Sequence, residues 1–234
     1  MVTWEALEHE GPGIYDEAYL AYLRKLLLMA EKQGIAVVMD PYQDAWSRRT
    51  GGDGAPAWTL EQLGMDLEGL DDPEAGFLRK RYAAAAMFTL FFAGNAYAPE
   101  TRIDGVPAQD WLQKRYLEAY GHCRRRLKHC KAITGWRTMT EPQPGFIGCR
   151  DLEEWENYAA AAFSLFKEGF SCPWKQAGVW TDGDGKPRLL KKDHFALYNN
   201  RPACFADDFL KPFLEKFIQR MGPPGMPAEL TVSG

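Results

Sequence analysis

The sequence lacks several features that would each assign it to a class of protein. Its five cysteines are odd in number and include no C-x-x-C pair, so neither a disulfide framework nor a zinc ribbon is indicated. No stretch approaches the roughly 20 apolar residues of a transmembrane helix, and no signal peptide opens the chain. These absences predict a cytoplasmic protein without a transmembrane segment.

Positive charge is not in excess either. The chain has 28 basic and 32 acidic residues, a formal net charge of −4. It therefore has no overall positive field to attract nucleic acid, and we expect no nucleic-acid partner. The run Arg124–Arg126 is interpreted as a solvated helix face, with a patch for lipid headgroups as the alternative. Contact with a membrane surface thus stays open, and the oligomeric state is not predicted.

Helical and strand patterns alternate along the 234 residues. Asp16 is placed to cap a helix that Gly34 ends, and the short apolar strand Ile35–Asp40 follows. A later helix, from Pro107 to about Cys130, precedes a second apolar strand, Ala132–Met139. Helices that alternate with apolar strands predict an α/β fold with a parallel sheet.

The rest of the chain is interpreted more coarsely. The expected elements are a loop over Pro41–Asp72, helices over Glu74–Phe92, Asp151–Phe170 and Asp207–Met221, a hairpin over Val179–Leu190, and weaker strands at Met1–Thr3 and Leu230–Val232. We expect one domain over residues 1–221 and a flexible Gly- and Pro-rich tail over residues 222–234.

Glu141 is the candidate catalytic residue, because it follows the second predicted strand directly and Pro142 ends the strand after it. In barrel enzymes the carboxyl ends of parallel strands carry the catalytic groups. The apolar neighbours Trp136, Met139 and Phe146 would partly desolvate its carboxyl, as suits a general acid. The alternative is an ordinary strand-end glutamate that caps a helix or pairs with an arginine.

The segment after the first strand carries the candidate binding residues Gln43, Asp44, Trp46 and Trp58. Polar groups that hydrogen-bond hydroxyls, together with flat apolar rings, are typical of a sugar site. A phosphate loop is excluded, because no Gly-Lys-Ser/Thr follows the glycines of this segment. The alternative is a structured loop that only packs over the sheet.

Histidines do not indicate a metal site. His122 and His129 are seven residues apart on a predicted helix, a separation of about 10.5 Å, which is too far for both to bind one ion. His194 is interpreted as a structural residue. No metal and no cofactor is predicted.

Several long segments together resemble glycoside hydrolase family 5, in its fungal branch related to endoglycoceramidase, steryl β-glucosidase and glucosylceramidase. The resemblance runs from Met1 to about Met221 and is carried by Val2–Asp16, Gln43–Arg48 with its Gly-Gly-x-Gly-Ala-Pro-x-Trp-Thr continuation, Phe91–Gly94, Glu141–Gly148 and Pro212–Leu214.

This resemblance implies a (β/α)8 TIM barrel and a retaining β-glycosidase that acts on β-glucosides of lipids. It implies that Glu141 is the acid/base, with the substrate bound beside it. Thr140 stands where the family has an asparagine that contacts the sugar 2-hydroxyl, and Tyr42 stands where it has a histidine. Both are therefore candidate substrate-binding residues.

A retaining mechanism also needs a nucleophilic carboxylate, about 5 to 5.5 Å from the acid/base. No apolar strand ending in glutamate follows Met221, so the barrel is expected to be incomplete, with its first and last strands missing, and to turn over β-glucosides poorly. Whether this chain is itself an enzyme therefore stays open. The alternative is a non-catalytic or truncated remnant that at most binds glycosides.

Overall fold

A computed structural model describes residues 1–74, 76–150, 152, 165–183 and 186–221 of the chain. Within these ranges the helices are α1 Trp4–Glu8, α2 Glu17–Lys32, α3 Trp58–Glu61, α4 Gly76–Tyr97, α5 Ala108–Leu127, α6 Pro173–Gln176 and α7 Lys211–Met221. The strands are β1 Val2–Thr3, β2 Val37–Met39, β3 Pro41–Tyr42, β4 Arg102–Ile103, β5 Val106–Pro107, β6 Ile133–Trp136, β7 Trp180–Gly183, β8 Lys186–Leu189, β9 Leu197–Tyr198 and β10 Arg201–Pro202.

The centre of the fold is a set of neighbouring parallel strands. β1 pairs with β3, and β2 pairs with β6, both in parallel. A further parallel bridge joins Tyr42 to Thr140, so the chain after β6 continues along β3. β2 and β3 therefore follow each other in the middle of this sheet. β1 lies on one side of them and β6 lies on the other. This is the α/β arrangement that the sequence predicts, as part of a (β/α) barrel.

Local signals explain where the main helix before the sheet begins and ends. The backbone N–H of Tyr19 donates to Asp16 Oδ1 (2.7 Å), which satisfies a free donor at the start of α2. At its other end Gly34 adopts φ +67°, a conformation that favours glycine and lets the chain turn into β2. The predicted cap and stop are both confirmed.

The long helices α4 and α5 pack against each other, and Tyr120 of α5 donates to the carbonyl O of Val2 in β1 at 2.9 Å. α4 is buried nearly all round, from Tyr82 to Gly94, and its backbone leaves helical geometry at Ala93. It extends five residues beyond the predicted end at Phe92, because the kink bends the helix without ending it. α5 buries Trp111, Tyr116 and Tyr120 on the side that faces the core.

Of the other predicted secondary-structure elements, some are confirmed and some differ. The hairpin is confirmed, since β7 pairs antiparallel with β8. The segment expected as a loop over Pro41–Asp72 instead contains β3, α3 and 3₁₀ turns at Arg48–Thr50 and Gly69–Asp71. The last helix is preceded by a π-helical turn, Phe205–Leu210. The tail at 222–234, the strand at Leu230–Val232 and most of the helix at 151–170 lie outside the described residues. In the described ranges, no helix is long and apolar enough to cross a membrane.

Candidate active site

The carboxyl ends of β3 and of the chain after β6 lie side by side. The backbone N–H of Thr140 donates to the carbonyl O of Pro41 (2.9 Å), and that of Gln43 donates to the carbonyl O of Thr140 (3.2 Å). This ladder places Tyr42 next to Thr140. Glu141 and Gln43, one residue further along each strand, therefore leave the same edge of the sheet.

Glu141 itself is exposed and has φ +57°. For a residue with a Cβ this left-handed conformation is uncommon, and such residues concentrate at functional sites. No ion pair of Glu141 with an arginine is found among the described residues. The expected desolvation by Trp136, Met139 and Phe146 is not observed, because those three side chains are buried in the core while the carboxyl faces outward.

Tyr42 shares the polar region around Glu141. The pKa of its hydroxyl is raised, first by partial desolvation and then by the negative charges of Asp44 and Glu141. The bridge between Tyr42 and Thr140 and the contact of Asp44 with Gln143 thus place Tyr42, Asp44 and Glu141 in neighbouring segments.

The side chain of Thr140 is hydrogen-bonded within the protein, just before the carboxyl edge of the sheet. Its hydroxyl donates to Asp40 Oδ1, and the other oxygen of Asp40 lies 3.6 Å from Arg137 Nη1. Because a hydroxyl has a single proton, Thr140 has no donor left for a ligand while this bond is intact. Asp40, which sequence reasoning did not single out as a site residue, therefore fixes the orientation of Thr140.

Asp44 links the two loops. Its backbone pairs with Asp53 on one side (2.6 and 2.9 Å), and its carboxylate accepts a hydrogen bond from Gln143 Nε2 at 3.4 Å. Gln143 belongs to the Glu-Pro-Gln-Pro-Gly segment that begins at Glu141. The two loops are thereby held together across the sheet edge.

Gln43 and Trp46 turn inward instead. Gln43 is 1% exposed, and its Nε2 donates to the carbonyl O of Trp46 at 2.6 Å. Trp46 Nε1 donates to Thr59 Oγ1 at 2.9 Å. A Cβ at Gly54 would lie 2.5 Å from Gln43 Oε1, so only glycine leaves room for this buried amide. The amide of Gln43 is used within the protein.

The interpretation of Trp46 and Trp58 as flat faces under a sugar ring is wrong for this structure. Both rings pack edge-on against Trp4, at centroid distances of 6.5 and 5.4 Å, and Trp58 Nε1 donates to the carbonyl O of Glu8 at 2.6 Å. They are 1% and 7% exposed. The alternative, a structured loop that packs over the sheet, describes these two residues better.

Thr89 and Gly145 hold the Glu141 loop, and sequence reasoning missed both. Thr89 Oγ1 accepts a hydrogen bond from the backbone N–H of Phe146 (2.8 Å) and donates to the carbonyl O of Ala85 (2.8 Å). Gly145 has φ +61°, and a Cβ there would lie 2.3 Å from the carbonyl O of Ala85. The available signal was one polar residue, Thr89, inside an otherwise apolar helical run.

His122 and His194 have structural partners. His122 Nε2 contacts Glu17 Oε1 at 2.7 Å, and its ring stacks on Tyr15 at 4.1 Å. His194 Nε2 lies 2.8 Å from the carbonyl O of Tyr97, and burial lowers its pKa. The interpretation of His194 as a structural residue is confirmed. In the residues that the structure describes, no group of three or more His, Cys, Asp and Glu side chains could hold a metal ion.

Parallel strands that present polar side chains and an exposed glutamate at their carboxyl edge are the arrangement in which (β/α)-barrel proteins place their functional groups. Comparison with known proteins gives the particular relatives. The chain is 31% identical to a glucosylceramidase of Rhizopus delemar, over 93% of this chain and 41% of that protein. It is 32% identical to a glucosylceramidase of Cryptococcus neoformans, over 94% of this chain and 40% of that protein.

A solved structure agrees with these relatives. Sterylglucosidase 1 of Cryptococcus neoformans superposes with a TM-score of 0.83 and 26% identity, over 94% of this chain and 43% of that chain. No protein-family model matches the chain. The resemblance to the fungal branch of glycoside hydrolase family 5 is thus confirmed over most of the sequence. The chain spans between 23% and 41% of the length of the curated relatives it matches.

Proposed function

We propose that this chain forms the acid/base part of the active site of a retaining β-glucosidase that acts on glycolipids. The observation that carries the proposal is the position of Glu141, exposed and at φ +57°, at the carboxyl edge of the parallel sheet beside Tyr42 and Asp44. The relatives named glucosylceramidase and ergosteryl-β-glucosidase support a glucoside with a lipid aglycone as the substrate class.

In this proposal the carboxyl of Glu141 protonates the glycosidic oxygen as the aglycone leaves. The resulting carboxylate then takes a proton from the water that releases the sugar. The nucleophile of the mechanism is not among the residues that we assign. Tyr42 and Asp44 border the same edge, and we assign them to binding of sugar hydroxyls.

Thr140 has a smaller part in this proposal than the family pattern implies. Its hydroxyl proton is committed to Asp40, so it offers the sugar 2-hydroxyl an acceptor and no donor. We therefore assign the orientation of the strand end to Thr140 and Asp40, and proton transfer to Glu141.

The test is to compare leaving groups in the variant Glu141→Gln. An acid/base residue matters most when the departing oxygen is a poor leaving group. We therefore expect hydrolysis of a steryl or alkyl β-glucoside to fall about 10²- to 10⁴-fold. Hydrolysis of a dinitrophenyl β-glucoside, whose leaving group needs no proton, should fall far less in the first step. Initial rates with both substrates under single-turnover conditions measure the difference.

Glu100→Gln is the matched control, because Glu100 is also an exposed glutamate and lies outside the two strand-end loops. It should leave both rates unchanged. Equal losses with both substrates in Glu141→Gln would contradict the acid/base role. Binding of a β-glucoside without turnover, equally strong in the parent chain and in Glu141→Gln, would support the alternative of a glycoside-binding remnant.

A further inference from the structure

A cavity of about 390 Å³ lies between α5, β6 and α7. Four of its lining side chains are cationic: Arg124, Arg125 and Lys128 from α5 or its end, and Arg220 from α7. No carboxylate is among the described residues that line it. The cavity is therefore a concentration of positive charge in a chain whose net charge is negative.

Two guanidinium groups converge over a glycine in this cavity. A Cβ at Gly121 would lie 3.5 Å from Arg125 Nη1 and 3.8 Å from Arg220 Nε. The two groups come from different helices, α5 and α7, and the missing side chain at Gly121 leaves the space between them open. Like charges held this close repel each other, and an anion placed between them reverses that cost.

These cations have no protein partner among the described residues. In contrast, the neighbouring Arg126 forms an ion pair with Glu17 Oε2 at 2.8 Å, on a part of α5 that does not line the cavity. Arg124, Arg125 and Arg220 lie in the last turns of α5 and α7, where the helix dipole favours basic residues. The dipoles do not explain why the guanidiniums of two helices meet over a cavity.

Trp136 adds a second observation at the same place. Its side chain lines the cavity and is 6% exposed, and its indole Nε1 has no hydrogen-bond partner in the described part of the chain. A buried N–H without an acceptor costs free energy, and most such groups in native proteins are paired. An oxyanion in the cavity would supply an acceptor.

We propose that this cavity binds a phosphate group, held between Arg125 and Arg220 with Arg124 and Lys128 at its rim. Guanidinium groups suit tetrahedral oxyanions because they donate two parallel hydrogen bonds, and the cavity exceeds the volume of one phosphate. The group belongs either to a soluble phosphate compound or to the headgroup of a lipid. Glu141 is not among the residues that line this cavity, so the two sites do not share it.

The first experiment titrates the whole chain with inorganic phosphate and with pyrophosphate by calorimetry at constant ionic strength. Each guanidinium contributes charge-assisted hydrogen bonds, so we expect Arg125→Gln and Arg220→Gln each to weaken binding about tenfold or more. Arg126→Gln removes the same charge from the same helix, outside the cavity, and should change the affinity less than about twofold. Equal weakening by all three variants would overturn the proposal.

A second variant keeps every charge. In Gly121→Ala the new methyl group lies at ordinary contact distance from both arginines, so the helix should fold normally, while the space between the guanidiniums is partly filled. We expect pyrophosphate affinity to fall severalfold. Unchanged affinity would show a diffuse electrostatic attraction in place of a shaped site, and would overturn the proposal.

Vesicle binding distinguishes the two sources of the phosphate group, a lipid headgroup and a soluble phosphate compound. Cosedimentation with phosphatidylcholine vesicles that contain phosphatidic acid, lost in Arg125→Gln and Arg220→Gln and kept in Arg126→Gln, assigns the site to lipid headgroups. Binding of pyrophosphate without vesicle binding assigns it to soluble phosphate compounds. Absence of binding to both probes by the parent chain would show that these cations serve only the helix ends.

Discussion

Two loops at the same edge of the sheet use strained backbone for opposite purposes. Trp46, four residues after β3, has φ +71° and is 1% exposed, with its indole N–H bonded to Thr59. Glu141, on the neighbouring strand, has φ +57° and is exposed. A left-handed residue redirects its side chain in both cases. In the first loop it directs a ring into the core, and in the second it presents a carboxylate.

Trp46→Ala gives the largest effect expected from this comparison. The side chain contacts Trp4, Phe88 and Phe91, with centroid distances of 5.3 to 6.5 Å, so its removal leaves a large cavity in the core. We expect the free energy of unfolding to fall by about 3–5 kcal/mol. Urea denaturation measures it. Glu141→Ala is the paired control and should change stability by less than about 0.5 kcal/mol. Similar losses in both variants would remove the distinction between the loops.

We expect an intermediate loss of stability in Gly145→Ala, because Gly145 packs against α4 where the Glu141 loop is anchored. The new Cβ would meet the carbonyl O of Ala85 at 2.3 Å and would also force alanine to φ +61°. We expect a loss of about 2–4 kcal/mol in the free energy of unfolding.

Gly148→Ala isolates the two contributions to this loss. Gly148 has φ +83°, but the nearest atom to its Cβ position is 3.7 Å away, so only the backbone cost remains, about 1 kcal/mol. Thermal melts of both variants measure the difference. A loss in Gly148→Ala as large as in Gly145→Ala would show that the close packing on α4 does not matter.

Glu141→Gly gives the smallest effect and tests whether the exposed loop stores strain. Glycine adopts φ +57° without a Cβ penalty, so this variant should be more stable than Glu141→Ala by about 1 kcal/mol. Both variants lack the carboxylate, so the comparison measures the backbone alone. Equal denaturation midpoints would show that Glu141 is not strained.

Periodic patterns and end signals were sufficient to predict the main elements of the fold. The cap at Asp16, the turn at Gly34 and the two parallel strands depend on local chemistry that is legible within a few residues. The segment after β3 was less predictable. Its short helix α3 and the strand β3 are held by contacts with Trp4 and Thr140, which are distant in sequence.

The candidate site shows the same limit. The position of Glu141 follows from the end of a strand, and the sequence predicts it. The direction of Trp46 does not follow, because a tryptophan in a polar loop fits a sugar platform and a core residue equally well until its partners Phe88 and Phe91 are known. The role of Thr89 as an anchor likewise depends on Gly145 and Phe146, more than fifty residues away.

The hydrogen bond between Asp44 and Gln143 has a consequence for exchange of segments between related proteins. Each of the two strand-end loops carries one half of this cross-link, and Asp40 and Thr140 form a second one just below it. A loop transplanted alone would arrive with an unmatched partner at both positions. Both hydrogen bonds are therefore kept only when the two loops are replaced together.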